Sequence, residues 1–211
     1  PQWRVWRTDQ RSPRWRDFLA AAHDLNEPFQ PRFRVEFSKA DVARASWSVW
    51  GATGHTGYPQ PEESYLEETF GDSRACRTCN VGCAQTSPFR MRGEPRLGRR
   101  SILQMFWVYD AWFVTPEAFE TVFEPFGIKA RGVLTKGGRD IGTVVQLVID
   151  ETVPLAECRT SGETCPSCGR FRLHAGLINY APLPAREPQG PLVHSCQEYG
   201  SGGQSFRQTL I

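Results

Sequence analysis

Hydrophobic side chains come in short bursts along this chain, and the period of each burst predicts an element. Trp3 and Val5, followed by Trp15, Phe18 and Leu19, predict a strand and then a short helix that ends across Asp24 to Pro28. Phe33, Val35 and Phe37 alternate with Arg32, Arg34 and Glu36, the period of a half-buried strand. Residues 45–62 predict a strand and then a loop. Pro61-Glu62-Glu63 opens a short helix to Phe70, because proline and acids suit a first helical turn. Ile102 to Val114 is dominated by aliphatic and aromatic side chains, which predicts a central strand with a break near Asp110. Thr115 then suits an N-cap, Pro116 the first helical position and Gly127 the stop. Phe119, Val122, Phe123 and Phe126 should give that helix one apolar face. Val133-Leu134 and Thr143 to Ile149 read as strands joined through Lys136-Gly137-Gly138-Arg139-Asp140, which is hairpin chemistry. Residues 181–191 read as a proline-rich surface loop, and Ser205 to Ile211 as a strand after a flexible Gly200-Ser201-Gly202-Gly203. The expected fold is therefore α+β, a mainly antiparallel sheet with a few short helices. A Trp/Arg-rich region, 1–73, should pack on a core formed by 74–211.

Composition narrows this little. The 211 residues are 39% hydrophobic, enough for a sizeable core, and 23% charged, which excludes bulk disorder. The formal net charge of +2 favours no particular partner. No apolar run approaches the ~20 residues that a membrane-spanning helix needs. The chain opens on Pro1 and stops in mid-pattern, so segments beyond either end are expected.

The cysteines carry the sharpest signal. Two short pairs, Cys76-Arg77-Thr78-Cys79 and Cys165-Pro166-Ser167-Cys168, offer the four thiolates of a closed tetrahedral zinc site. Asn80 and Gly169 follow them, and both residue types tolerate the left-handed backbone of a tight metal-binding turn. The long interval between the pairs makes the ion a clamp between distant parts of a sheet. Its capture would be coupled to folding, because thiols must lose protons to bind. Four thiolates leave no position for substrate or water, so the zinc is expected to be structural. The other readings are buried free cysteines and a redox dithiol, although neither pair opens a helix after a strand. Seven cysteines in all, an odd number, favour a reduced, cytoplasmic setting over a disulfide framework. Cys83, Cys158 and Cys196 are expected to be small buried hydrophobes. Cys83 as a substitute ligand, or Cys196 with His194 as a second site, is the alternative.

A second constellation is arginine-rich. Arg90, Arg92, Arg96, Arg99 and Arg100 share a segment with Phe89 and Met91. Arginines among aromatics hold phosphates and stack bases, but such arginines also cover apolar surface or pair with acids such as Glu94. His23, His55, His174 and His194 fall in no metalloprotease spacing, no cysteine faces a histidine as a nucleophile, and the glycines assemble no phosphate loop. The reading is non-enzymatic.

The two knuckles, the second running Cys165-Pro166-Ser167-Cys168-Gly169-Arg170, resemble the bacterial double-CXXCG motif family. The likeness spans residues 74–211. It takes in the aromatic strand Phe106 to Val114, the Thr-Pro-Glu helix, the hairpin strand Val144 to Ile149 and the closing Ser205-Phe206-Arg207-Gln208-Thr209-Leu210. Asn80 stands where the family's first motif has glycine. Members of that family include immunity proteins that protect a bacterium from a toxin its kin deliver. The resemblance implies a small, cytoplasmic, zinc-stabilised protein that binds a toxin domain and blocks it, with the four cysteines as ligands. Such a partner would meet ~800 Å² of surface, with Trp47, Trp50 and Tyr58 and the Arg90–Arg100 loop as candidate anchors. The alternative function is a nucleic-acid-binding, zinc-ribbon-like protein that uses the same loop.

Overall fold

A computed structural model describes residues 12–24, 33–34, 36–71, 76–156, 162–174, 177–178 and 182–211. The strand expected at Trp3 and Val5 lies outside these residues, as do Val35 and Cys158. The chain forms two compact units, Pro1–Phe33 and Arg34–Ile211. The first carries helix α1, Trp15–Asp24, where the pattern placed one.

The second unit holds most of the structure. Its five-stranded sheet runs in the order β3 (Arg90–Met91), β6 (Lys129–Thr135), β7 (Asp140–Val148), β5 (Val108–Val114) and β4 (Ile102–Met105). A six-stranded sheet runs β2 (Val49–Trp50), β13 (Phe206–Leu210), β12 (Val193–Tyr199), β10 (Phe171–Leu173) and β9 (Gly162–Thr164), with β8 (Thr152–Val153) also paired to β12. Strands β1 (Phe33–Arg34) and β11 (Leu177–Ile178) lie outside both sheets. Within the two sheets, pairing is antiparallel except at β3–β6, β8–β12 and β10–β12. The fold is α+β and rich in strands, as the pattern indicated.

Four local expectations need correction. The strand expected to reach Phe37 ends early, and Phe37 is exposed. Ser38 starts helix α2 (Lys39–Arg44) instead: its hydroxyl accepts from the Asp41 N–H at 3.2 Å, and its own N–H donates to the Asp41 carboxylate at 2.9 Å. That is a capping box, with aspartate in the usual glutamate position. Helix α3 (Tyr65–Phe70) begins later than Pro61, because the Ser64 N–H first closes a turn on the Pro61 carbonyl at 3.1 Å. The long aromatic strand is a hairpin. It breaks at Phe106-Trp107, not at Asp110, with Met105 opposite Val108 and Trp107 at φ 67°. Turn-forming residues would have revealed this break, but here two aromatics occupy it. Finally, the Thr115 helix does not keep one apolar face. Thr115 caps α4 (Pro116–Ala118) by accepting from the Ala118 N–H at 3.2 Å, and Gly127 ends the run at φ 76°. Between them, residues Phe119–Phe123 form a π-turn in which the Glu124 N–H reaches back to Phe119. The wider turn shifts the phase of the residues beyond it. Phe123 is buried, while Val122 and Phe126 face solvent.

Strand β5 sits at the centre of the packing. Its residues alternate, so Ala111 and Phe113 enter one cluster with Phe89, Met91, Leu103, Val133 and Val144. Trp112 and Val114 enter another with Phe123, Leu147 and Leu192. Burial on both faces explains the unbroken apolar run. Trp112 also links the sheets, donating its indole N–H to the Thr209 hydroxyl on β13 at 2.9 Å. A third cluster, Val153, Leu155, Val193, Tyr199 and Leu210, lies under the six-stranded sheet, and Trp47 packs on it. Trp50 stacks on Trp112 at 3.9 Å between ring centroids and 10° between planes. Trp50→Ala is therefore expected to lower stability by about 3 kcal/mol, read from the midpoint of urea denaturation.

Candidate metal centre

The two cysteine knuckles are built alike. In the first, the Asn80 N–H donates to the Cys76 carbonyl at 2.8 Å; in the second, the Gly169 N–H donates to the Cys165 carbonyl at 2.9 Å. Asn80 has φ 58° and Gly169 φ 70°, the left-handed backbone that this turn requires. The second knuckle is the tip of the β9–β10 hairpin, closed by the Cys165 N–H on the Arg170 carbonyl at 2.9 Å. Equivalent positions of the two turns touch: the Thr78 hydroxyl donates to the Ser167 hydroxyl at 2.9 Å.

This pairing brings together Cys76, Cys79, Cys165 and Cys168, whose sulfurs all lie within 4.8 Å of one another. Cys76 Sγ is 3.9 Å from Cys165 Sγ, and Cys79 Sγ is 3.7 Å from Cys168 Sγ. Four sulfurs at ~2.3 Å from a tetrahedral ion would sit ~3.8 Å apart. A disulfide would need ~2.05 Å, and all four cysteines are free. The donor set thus fits a soft divalent metal such as zinc or iron. Backbone N–H groups of Cys79 and Thr78 pull the Cys76 thiol down to about 6. Burial resists ionisation of Cys165, but the N–H groups of Ser167 and Cys168 outweigh it and its pKa is lowered. Cys79 is pushed up to about 12, chiefly by burial. Four neighbouring thiols cannot all ionise unaided; a cation supplies the missing charge.

The surroundings are wired to the knuckles. Arg172, on β10, is 2% exposed. Its Nη1 donates to the carbonyls of Cys79 at 3.3 Å, Gly202 at 2.7 Å and Gln204 at 2.7 Å, and its Nη2 pairs with the Glu163 carboxylate. Arg170 donates to the Val81 carbonyl at 3.2 Å, and the Asn80 amide to the Gly203 carbonyl at 2.7 Å. The turn that receives Arg172 requires Gly200, with φ 139°, because a Cβ there would come within 2.2 Å of the Gln204 carbonyl oxygen. A buried guanidinium hydrogen-bonded to a ligand's own carbonyl offsets the negative charge of a four-thiolate site and holds the first knuckle against the second. Sequence reasoning missed Arg172. The signal was there in the alternation of β10, which turns the residue between Phe171 and Leu173 inward.

The remaining candidates scatter. Cys83 is half-buried and Cys196 exposed, so the latter is not the buried hydrophobe expected, and neither joins the cluster. Arg90 lies half-buried in β3, 3.5 Å from the Glu68 carboxylate. Arg92, Arg96, Arg99 and Arg100 are exposed, but Phe89 and Met91, which flank Arg90, are core residues, so no aromatic side chain is interleaved with the exposed cations. Tyr58 is different. It stacks on Phe106 at 4.9 Å and meets Trp107 at 4.5 Å, and these three rings are 37–38% exposed. His55 extends the row, 5.3 Å from Phe106. Among the described residues, no helix is long and apolar enough to cross a membrane. Comparison with protein-family models, with curated proteins and with solved structures gives no match to this chain.

Proposed function

We propose that this chain is a non-catalytic, zinc-stapled protein-binding module that docks its partner on the Tyr58–Phe106–Trp107 patch. On the resemblance of its knuckles to the double-CXXCG proteins, the partner is a bacterial toxin domain and the module its immunity-type inhibitor. The observation that carries the docking reading is the backbone of Trp107. A bulky residue at φ 67° costs about 1–2 kcal/mol that glycine would not, and the ring held there, packed on Tyr58 and Tyr65, still leaves 37% of the residue exposed. Exposed aromatics held rigidly on a tight turn are the anchors that interfaces favour. Four thiolates would fill the coordination sphere of an ion and leave no open position, which supports a structural role for the metal.

The test exploits the same strain. Trp107→Gly removes the ring and relaxes the backbone; relief of the strain offsets part of the packing lost against Tyr58 and Tyr65, so the variant should stay folded with a loss of about 1–2 kcal/mol. Binding of the partner should fall tenfold or more, as for an aromatic anchor. The partner is to be captured from cells that carry this gene and then expressed alone. It should be toxic by itself, neutralised by the parent chain and not by Trp107→Gly. Recovery of RNA or DNA instead, released steeply by salt and lost on Arg96→Ala and Arg99→Ala, overturns the reading in favour of nucleic-acid binding.

A further inference from the structure

Next to the metal centre the second unit carries a cleft of about 70 Å³. Tyr65, Phe70 and Trp107 supply aromatic lining, and Asp110, Glu198 and Arg207 the charges. Glu198 is well provided for. It accepts from the Gly82 N–H at 2.8 Å and from the Ser205 hydroxyl, and its carboxylate lies 3.5 Å from the Arg207 guanidinium. Asp110 accepts the backbone N–H of Arg207 at 3.1 Å. Two carboxylates thus share one guanidinium, and the nearer claim on it is that of Glu198. A third acceptor stands beside them. Asn80 is 8% exposed; its amide nitrogen is bonded to Gly203, yet its Oδ1 is buried with no hydrogen-bond partner. Burial pushes Asp110 up to about 6 against the pull of Arg207, so the fold carries an ill-solvated carboxyl in a cleft. A carboxyl of this kind in a cleft, beside an unpaired buried oxygen, is a candidate binding site.

The cleft is therefore rich in acceptors, short of one positive charge and lined by faces that attract cations. We propose that it receives the lysine or arginine side chain of a docked protein partner, with Asp110 pairing the cation and the Trp107 ring covering it. The source of that side chain rests on the docking reading, because Trp107 belongs both to the exposed patch and to the cleft. A neutral or anionic group would leave the Asp110 charge and the Asn80 oxygen unmet, which is costly in a partly desolvated site.

The experiment needs no partner. The free protein is titrated with n-butylguanidinium and n-butylammonium, and with butyrate and n-butanol, while ¹H–¹⁵N spectra follow the Trp107 indole and the Arg207 amide. The cations should give saturable shifts at both positions with Kd on the order of 1 mM, the range for head groups of this size. Asp110→Asn should weaken them tenfold or more while raising Tm at pH 7.5. Linkage sets the sign. A carboxyl whose folded pKa is raised stabilises fully below its unfolded value of ~3.9 and loses this as pH rises through about 6, so the gain from the variant should vanish by about pH 4. Arg207, Glu198, Tyr65 and Cys83 share the cleft with Asp110 and are unchanged in the variant. Cation shifts that survive Asp110→Asn, equal binding of butyrate, or no saturation with either cation would overturn the proposal. Such a failure leaves the patch untouched, whereas failure of Trp107→Gly to impair partner binding defeats the docking reading itself.

Discussion

Cys165→Ser should strip the protein of its metal and lower its melting temperature by about 15 °C. The cluster around the four sulfurs explains the size. Its buried members are Cys76, Cys79, Cys165 and Val81, so the knuckles have almost no apolar core of their own. A bound ion would hold residues 76–82 to the β9–β10 hairpin, with the Thr78–Ser167, Arg170–Val81 and Arg172–Cys79 hydrogen bonds as secondary ties. Structural zinc contributes roughly 10–16 kcal/mol to the folding of peptides that have nothing else. Here three hydrophobic clusters form without any cysteine, so the sheets retain part of their stability and a loss of about 5 kcal/mol is expected. For a unit of this size that corresponds to roughly 10–20 °C. Elemental analysis should find one metal per chain in the parent and none in the variant. Hydrogen exchange should show the knuckles opening before β5 and β7. Cys196→Ser, at an exposed position, should change neither quantity. A metal-free parent, or a Cys165→Ser protein that melts with the parent, would rule out the clamp.

What the sequence disclosed depended on whether a residue's neighbours in space were also neighbours in the chain. The knuckles were legible because each pair is a local turn, and Asn80 and Gly169 announce its backbone. The Thr115 cap, the Gly127 stop and the 136–139 hairpin were legible for the same reason. The Phe106-Trp107 turn was not, since its sequence offers none of the residues such a turn favours; the ring is there in spite of local preference. The π-turn at 119–123 was hidden too, because an apolar stripe read at 3.6 residues per turn cannot show where the period widens. Trp47 and Trp50 looked like surface anchors by type, yet both pack on strands distant in the sequence, with Trp50 against Trp112 and β2 paired to β13. The cleft draws on α3, the first knuckle, β5, β12 and β13, and nothing in residue spacing could have assembled it.

Arg172→Met should weaken both the fold and the metal centre. The guanidinium donates to three carbonyls, those of Cys79, Gly202 and Gln204, and pairs with Glu163. Methionine fills much of the volume and satisfies none of these groups. Truncating one member of a buried ion pair typically costs 3–5 kcal/mol, and Glu163 is partly exposed, so water will soften the loss toward about 3 kcal/mol, or roughly 6–12 °C in Tm. Three further readouts separate this network from simple packing. Metal affinity, measured by competition with a chromogenic chelator, should fall about 10–100-fold, because the Cys79 carbonyl loses the donor that orients its knuckle. Arg172→Lys should rescue little, since a single ammonium cannot span a carboxylate and three carbonyls as a planar fork does. Adding Glu163→Gln to Arg172→Met should restore part of the stability by removing the stranded carboxylate, and none of the metal affinity. If Arg172→Met instead binds metal like the parent, then the buried arginine ties the 200–204 turn to β10 and plays no part in shaping the metal centre.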